Sequence, residues 1–238
     1  MDARERLIVA LDVSSSSEAR RIVAAVGESA RIFKVGKQLF TAQGPQVVRD
    51  LQASGRRVFL DLKFHDIPNT VSAAVRNAAE MGVSMLTVHA AGGSRMLKTA
   101  AEAAASSSAR PLVLAVTVLT SFTEEDLQET GVAGRIVDQA LRLAALARTA
   151  GCGGVVSSAR EAREIRRELG AGFAIITPGV RPAGSASQDQ ARVVTPADAI
   201  SAGASHIVVG RPVTSAADPA AAARAVLDEI SSAQPASV

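Results

Sequence analysis

The chain alternates two hydrophobic patterns from end to end. Short runs rich in Val, Ile, Leu and Phe predict strands at residues 7–13, 32–36, 57–63, 85–90, 111–119, 153–157, 173–178 and 206–210. Between them, apolar residues recur every three or four positions and predict helices at 17–26, 45–53, 70–81, 94–105, 135–150, 159–169, 196–202 and 219–231. Ser16, Asn69 and Asp218 are candidate N-caps, and Gly27, Gly55, Gly82, Gly151, Gly170 and Gly203 follow helix ends. Eight strands, each followed by a helix within about 250 residues, make the pattern of a (β/α)8 TIM barrel. A doubly wound open sheet is the runner-up, but no Gly-x-Gly-x-x-Gly follows the first strand. No linker, repeat or low-complexity segment divides the chain, so residues 1–238 are read as a single domain, fraying from Ser232 onward. Two long polar loops, 121–134 after the fifth strand and 179–192 after the seventh, stand where barrel lids are usually found.

Composition narrows the function. The 238 residues are 47% hydrophobic, ample for one large core. A net charge of +3 from scattered basic groups, with no Trp or Tyr to stack on bases, speaks against nucleic-acid binding. One cysteine, Cys152, excludes an internal disulfide, and it reads as a small buried hydrophobe. The first six residues lack an apolar targeting segment and no run reaches membrane-spanning length, so a cytoplasmic protein without membrane contact is expected. Of 26 cationic side chains only four are lysines: Lys34, Lys37, Lys63 and Lys98. Lys34 and Lys63 both lie on apolar strands. An ammonium can release a proton and a guanidinium effectively cannot, which makes Lys63 a candidate acid.

Barrel enzymes work at the carboxyl ends of their strands, so each end is read in turn. The first gives Asp12, the second Lys34, and the third Asp61 and Lys63, which alternation places side by side on one face. Asp66 follows in the turn, so two carboxylates bracket an ammonium. An isolated Asp-x-Lys is more often a structural ion pair. Five charges gathered at one mouth exceed what stability calls for. The fifth strand adds Thr117 and Thr120, and the seventh adds Thr177-Pro178-Gly179-Val180-Arg181. The eighth ends in Gly210-Arg211, where barrels often hold phosphate, with Arg181 and Gln190 flanking the preceding loop. His65 and His89 sit near strand ends and suit either acid–base or structural roles, whereas His206, on the opposite rim, reads as structural. No zinc spacing, P-loop or Ser-His-Asp order is present.

With these residues assembled, the chain resembles the bacterial orotidine 5′-phosphate decarboxylases. The match runs through Val9–Asp12, Phe33–Gly36, the highly specific block Asp61–Thr70, Val118–Ser121, Thr177–Pro182 and Gly210–Pro212. The resemblance implies decarboxylation of orotidine 5′-monophosphate (OMP) to UMP, without metal or other cofactor, by a homodimer with shared sites. It implies that Lys63, Asp61, Asp66 and Lys34 form the catalytic group, and that Asp12 and Lys34 meet the ribose hydroxyls. It also implies that Asp61 faces the pyrimidine, that Thr120 lies near the base, and that Arg181, Gln190, Gly210 and Arg211 surround the phosphate. Asp66, Ile67 and Thr70 are implied to enter the neighbouring subunit's site. Two rivals remain: a related Mg2+-dependent sugar-phosphate decarboxylase or aldolase sharing Asp-x-Lys-x-x-Asp, and a non-catalytic nucleotide or sugar-phosphate binding barrel. The His65–Thr70 continuation favours the first reading over the Mg2+-dependent one.

Overall fold

Eight parallel strands close on themselves in chain order, from β1 to β8 and back to β1, in a computed structural model that describes residues 2–182 and 194–233. The strands are β1 (Leu7–Ala10), β2 (Ile32–Gly36), β3 (Arg57–Phe64), β4 (Met85–His89), β5 (Leu112–Val116), β6 (Gly154–Val156), β7 (Ala174–Thr177) and β8 (His206–Val209). The helices are α1 (Ala3–Arg6), α2 (Ser16–Val26), α3 (Lys37–Gln43), α4 (Gln46–Ala53), α5 (Pro68–Glu80), α6 (Gly93–Ala105), α7 (Glu124–Glu129), α8 (Ile136–Thr149), α9 (Ala159–Leu169), α10 (Pro196–Ser201), α11 (Arg211–Thr214) and α12 (Pro219–Ser232). The expected (β/α)8 barrel is therefore the observed one.

Alternation sorts each strand into two faces. Ile8, Ala10, Ile32, Phe59, Met85, Leu114, Ile176 and Val208 fill the barrel interior as one apolar cluster, and the opposite faces join the helices in a larger outer core. Following the inward parity of β2, β3 and β4 beyond Ile32, Phe59 and Met85 leads to Lys34, Asp61 and Thr87. The packed apolar floor thus gives way to charge at the carboxyl end, and burial of the floor fixes where those charges stand.

Several boundaries differ from expectation for local reasons. Pro68 occupies the first turn of α5, so the helix begins before Thr70 and Ile67, not Asn69, is its cap residue. Ser15, not Ser16, accepts the Glu18 N–H and caps α2, while Asp218 caps α12 as expected. The first and fifth strands are shorter than the apolar runs that signal them. The 121–134 loop contains α7, held by a Thr123–Asp126 capping box. Helix α12 continues through Ser232, and residues 234–238 lie outside the described residues. Among the described residues no helix is long and apolar enough to cross a membrane.

His206 opens β8 at the amino-terminal end, 7% exposed, with a buried Nδ1 that has no hydrogen-bond partner among the described residues. Burial, helped by Arg6 and Arg57 and opposed by Glu5, lowers its pKa from 6.5 to about 4. The unfolded chain therefore takes up this proton first as the pH falls. The stability is complete above about pH 6.5 and is lost on descent towards pH 4, by about 3 kcal/mol. Urea unfolding of wild type and His206→Gln at pH 7 and pH 4 tests this. Wild type is expected to lose more stability than the variant across that interval; parallel losses would clear His206 of the effect.

Candidate active site

Four charged side chains form one alternating row across the carboxyl mouth of the barrel. Lys34, only 9% exposed, donates from Nζ to Asp12 Oδ1 at 2.8 Å and lies 3.8 Å from Asp61 Oδ2. Asp61 accepts in turn from Lys63 Nζ, Oδ1 lying 2.8 Å away. Each ammonium thus touches a carboxylate, and the central Lys34–Asp61 pair is largely removed from water. Ion pairs so placed depend on complementary neighbours, because removing one partner strands a charge in a poorly solvated place. Gly36 adds a steric reason for its identity: a Cβ there would come within 3.1 Å of Lys34 Nζ and 3.5 Å of Asp12 Oδ1.

The row lines a cavity of about 290 Å³. Asp12, Lys34, Asp61 and Lys63 supply its charged lining, with Ala10, Phe59, Val116, Val118, Leu119, Val156 and Val208 providing apolar surface and Thr120, Pro178, Gly179 and Gly210 the remainder. The cavity can therefore act on charge while its apolar lining excludes water. A larger cavity of about 610 Å³ adjoins it, sharing Val118, Leu119, Thr120, Pro178 and Gly179.

Lys63 reaches this position by an irregular path. The β3–β4 register shifts between Leu60, opposite Leu86, and Phe64, opposite Val88, a β-bulge on the strand that carries Asp61 and Lys63. Within it Lys63 has φ 54°, a left-handed conformation that a lysine rarely adopts. Its N–H donates to Thr87 Oγ1 at 2.8 Å, and Thr87 Oγ1 donates to Asp61 Oδ1 at 3.0 Å. Thr87 escapes sequence reading because a Thr on a buried strand looks like an ordinary β-former. Its position on the inward face, two residues before His89, was the available signal.

The other expected residues divide. Thr120 and Gly210 are on the cavity wall. A Cβ at Gly210 would meet only ordinary contacts, 3.7 Å from Ala10 Cβ and Asp12 Oδ2, so protein packing alone does not demand glycine there. Arg211 begins α11 immediately afterward, and Arg181 follows β7 with its N–H donating to the Val194 carbonyl at 3.0 Å. Gln190 lies outside the described residues. Thr117 faces away from the cavity and donates to the Val156 carbonyl at 3.1 Å. Asp66 does not bracket Lys63 within the chain: beyond the strand end, its Oδ1 accepts the Ile67 N–H at 2.6 Å. Asp66 and Thr70 are exposed, and Ile67 is 68% exposed, a large apolar side chain held out into solvent.

His65 and His89 stack beside the bulge, ring centroids 5.4 Å apart and 19° from parallel. His89 Nδ1 accepts the Ala91 N–H at 3.3 Å. Burial lowers the His89 pKa, and His65, Lys63 and Lys37 push it the same way. Cys152 is buried and its thiol is pushed up to about 12, which makes it inert. Among the described residues no group of three His, Cys, Asp or Glu could hold a metal ion.

Comparison with known proteins gives one answer at several distances. Residues 5–226 match the orotidine 5′-phosphate decarboxylase / HUMPS family. The orotidine 5′-phosphate decarboxylase of Halorhodospira halophila is 54% identical over 228 residues, covering 96% of this chain and 97% of that protein. That of Moorella thermoacetica is 52% identical over 236 residues, covering 97% and 94%. The crystal structure of orotidine 5′-phosphate decarboxylase from Lactobacillus acidophilus superposes with a TM-score of 0.83 at 39% identity, covering 94% of this chain and 97% of that one.

Proposed function

The chain belongs to the orotidine 5′-phosphate decarboxylase / HUMPS family, and from that premise we infer that it removes CO2 from C6 of OMP to give UMP. The observation that carries the reading is the Asp12–Lys34–Asp61–Lys63 row on the wall of a cavity that is otherwise largely apolar. The bacterial decarboxylases named above support it across nearly the whole chain.

Breaking the C6–carboxylate bond leaves an electron pair on a ring carbon with little delocalisation. The barrier must therefore fall through charges already in place when that pair forms. With the ring in the apolar half of the cavity and C6 towards the row, the Lys63 ammonium lies where the negative charge develops and then donates a proton to C6. Asp61 holds that ammonium and faces the departing carboxylate. Asp12 and Lys34 engage the ribose hydroxyls, and Thr120 lies beside the base. Gly210, Arg211, Arg181 and Gln190 take the phosphate, whose binding energy holds the reacting end against the row. Asp66, Ile67 and Thr70 complete the site of a second subunit in a homodimer, which would also cover the exposed Ile67. A cytoplasmic enzyme needing no resident cofactor belongs to the same reading.

Purified protein treated with EDTA and mixed with OMP tests the function directly, by following the pyrimidine absorbance. Sustained turnover is expected. No turnover of OMP but Mg2+-dependent turnover of a sugar phosphate would favour the sugar-phosphate branch, and binding without turnover would favour a carrier.

The phosphate assignment makes its own prediction. Arg211→Ala removes a charge-assisted contact, so kcat/KM for OMP should fall by roughly 10²-fold, about 3 kcal/mol. The nucleoside orotidine has no phosphate to lose and should be turned over as by wild type. An equal fall for both substrates would take Arg211 off the phosphate.

A further inference from the structure

The Asp61–Lys63 pair is held from behind by a residue that touches no part of the cavity surface. Thr87 stands on the inward face of β4, fully buried, opposite the bulge. Between matched positions the strands are unequal: Leu60 to Phe64 on β3 runs beside only Leu86 to Val88 on β4. The surplus chain displaces Lys63 from regular pairing, and a buried N–H needs an acceptor wherever it goes. The Thr87 hydroxyl oxygen accepts it at 2.8 Å. The hydroxyl proton is then directed to Asp61 Oδ1, 3.0 Å away, the same oxygen that accepts Lys63 Nζ at 2.8 Å. The ring closes: main chain of Lys63, hydroxyl of Thr87, carboxylate of Asp61, ammonium of Lys63.

We propose that Thr87 is a positioning residue for the decarboxylation, holding Lys63 in its left-handed backbone and Asp61 in the rotamer that receives the ammonium. The proposal rests on the reading of Lys63 as the group that meets C6. Three features support it together. The Lys63 conformation at φ 54° is unfavourable for a side chain with a Cβ and persists only where surrounding contacts determine it. A β-branched threonine packed in the barrel has few rotamers, so its oxygen is fixed relative to both partners. One hydroxyl donates and accepts at once, so it couples the strand's backbone to the orientation of its carboxylate. A displacement of about 1 Å at a reacting group is enough to cost on the order of 10²-fold in rate.

Thr87→Val keeps the shape and removes the hydroxyl, whereas Thr87→Ser keeps the hydroxyl and removes the methyl. Positioning predicts that kcat for OMP falls roughly 10- to 100-fold in the Val variant, while KM, set largely by the distant phosphate, stays within about threefold. The Ser variant should recover most of the lost kcat. A packing role predicts the reverse order, with Val near wild type and Ser impaired, and that order would overturn the proposal. Should the Val variant fail to fold, Thr87→Ser decides alone: near-wild-type kcat supports positioning, and a tenfold or greater loss refutes it. Lys63→Ala, assayed alongside, separates the two levels. If it remains active, the reading of the site fails. If it is inactive while Thr87→Val turns over like wild type, only the role of Thr87 is wrong.

Discussion

Lys63→Ala is expected to abolish turnover of OMP while leaving the barrel folded. The substitution removes two functions of one group. As the proposed proton donor to C6, its loss alone should cost about 10²–10⁴-fold in kcat. As the cation beside the developing negative charge, its loss adds to that, because Asp61 then keeps only the more distant Lys34, 3.8 Å away, as counter-charge near a forming anion. The variant should show wild-type far-ultraviolet circular dichroism and, with the phosphate and ribose held by other residues as proposed, still bind UMP. Lys63→Arg sharpens the test: a guanidinium restores charge but cannot readily give up a proton, so turnover should stay low although the positive charge is back. A Lys63→Ala enzyme retaining more than about a tenth of wild-type kcat, outside the range for a lost general acid, would sink the assignment.

The barrel was legible because each strand is an apolar run and each long helix repeats its apolar face over several turns. The short helices were not. Lys37–Gln43, Glu124–Glu129 and Arg211–Thr214 offer two turns or fewer, too few for a 3.6-residue period to show. The helix Glu124–Glu129, read from the sequence as part of a loop, is held by a capping box from Thr123 to Asp126 that the apolar pattern does not show. At the site, inward alternation correctly placed Lys34 and Asp61. It also paired Asp61 with Lys63, yet the backbone route to that pair is a bulge with a left-handed lysine, which alternation does not contain. The juxtaposition was readable and its cause was not. Thr87, the residue that stitches the bulge, carries no chemical signature on a buried strand. The bracket of two carboxylates around Lys63 failed at Asp66 because the chain leaves the strand plane after Phe64, and beyond that point strand periodicity has no force.

The exposed position of Asp66 makes the second large prediction one about the dimer. Its carboxylate turns to the Ile67 N–H of its own segment, next to a 68% exposed Ile67, while Lys63 pairs with Asp61. If Asp66 serves catalysis, a two-fold interface carrying it to the partner's Lys63 meets both facts at once. Lys63→Ala and Asp66→Asn should then each be nearly inactive as homodimers. Unfolding them together and refolding the mixture should restore activity, because the two lesions can fall on one site. In the mixed dimer one site lacks both groups and the other lacks neither. Random pairing at 1:1 makes about half the dimers mixed, each with one intact site of two, so activity should approach roughly a quarter of wild type for this isologous arrangement. The recovered activity should also depend on the mixing ratio, peaking near equal amounts. If size measurements confirm mixed dimers and no activity returns, Asp66 acts within its own chain or not at all, and the proposal of a shared site falls.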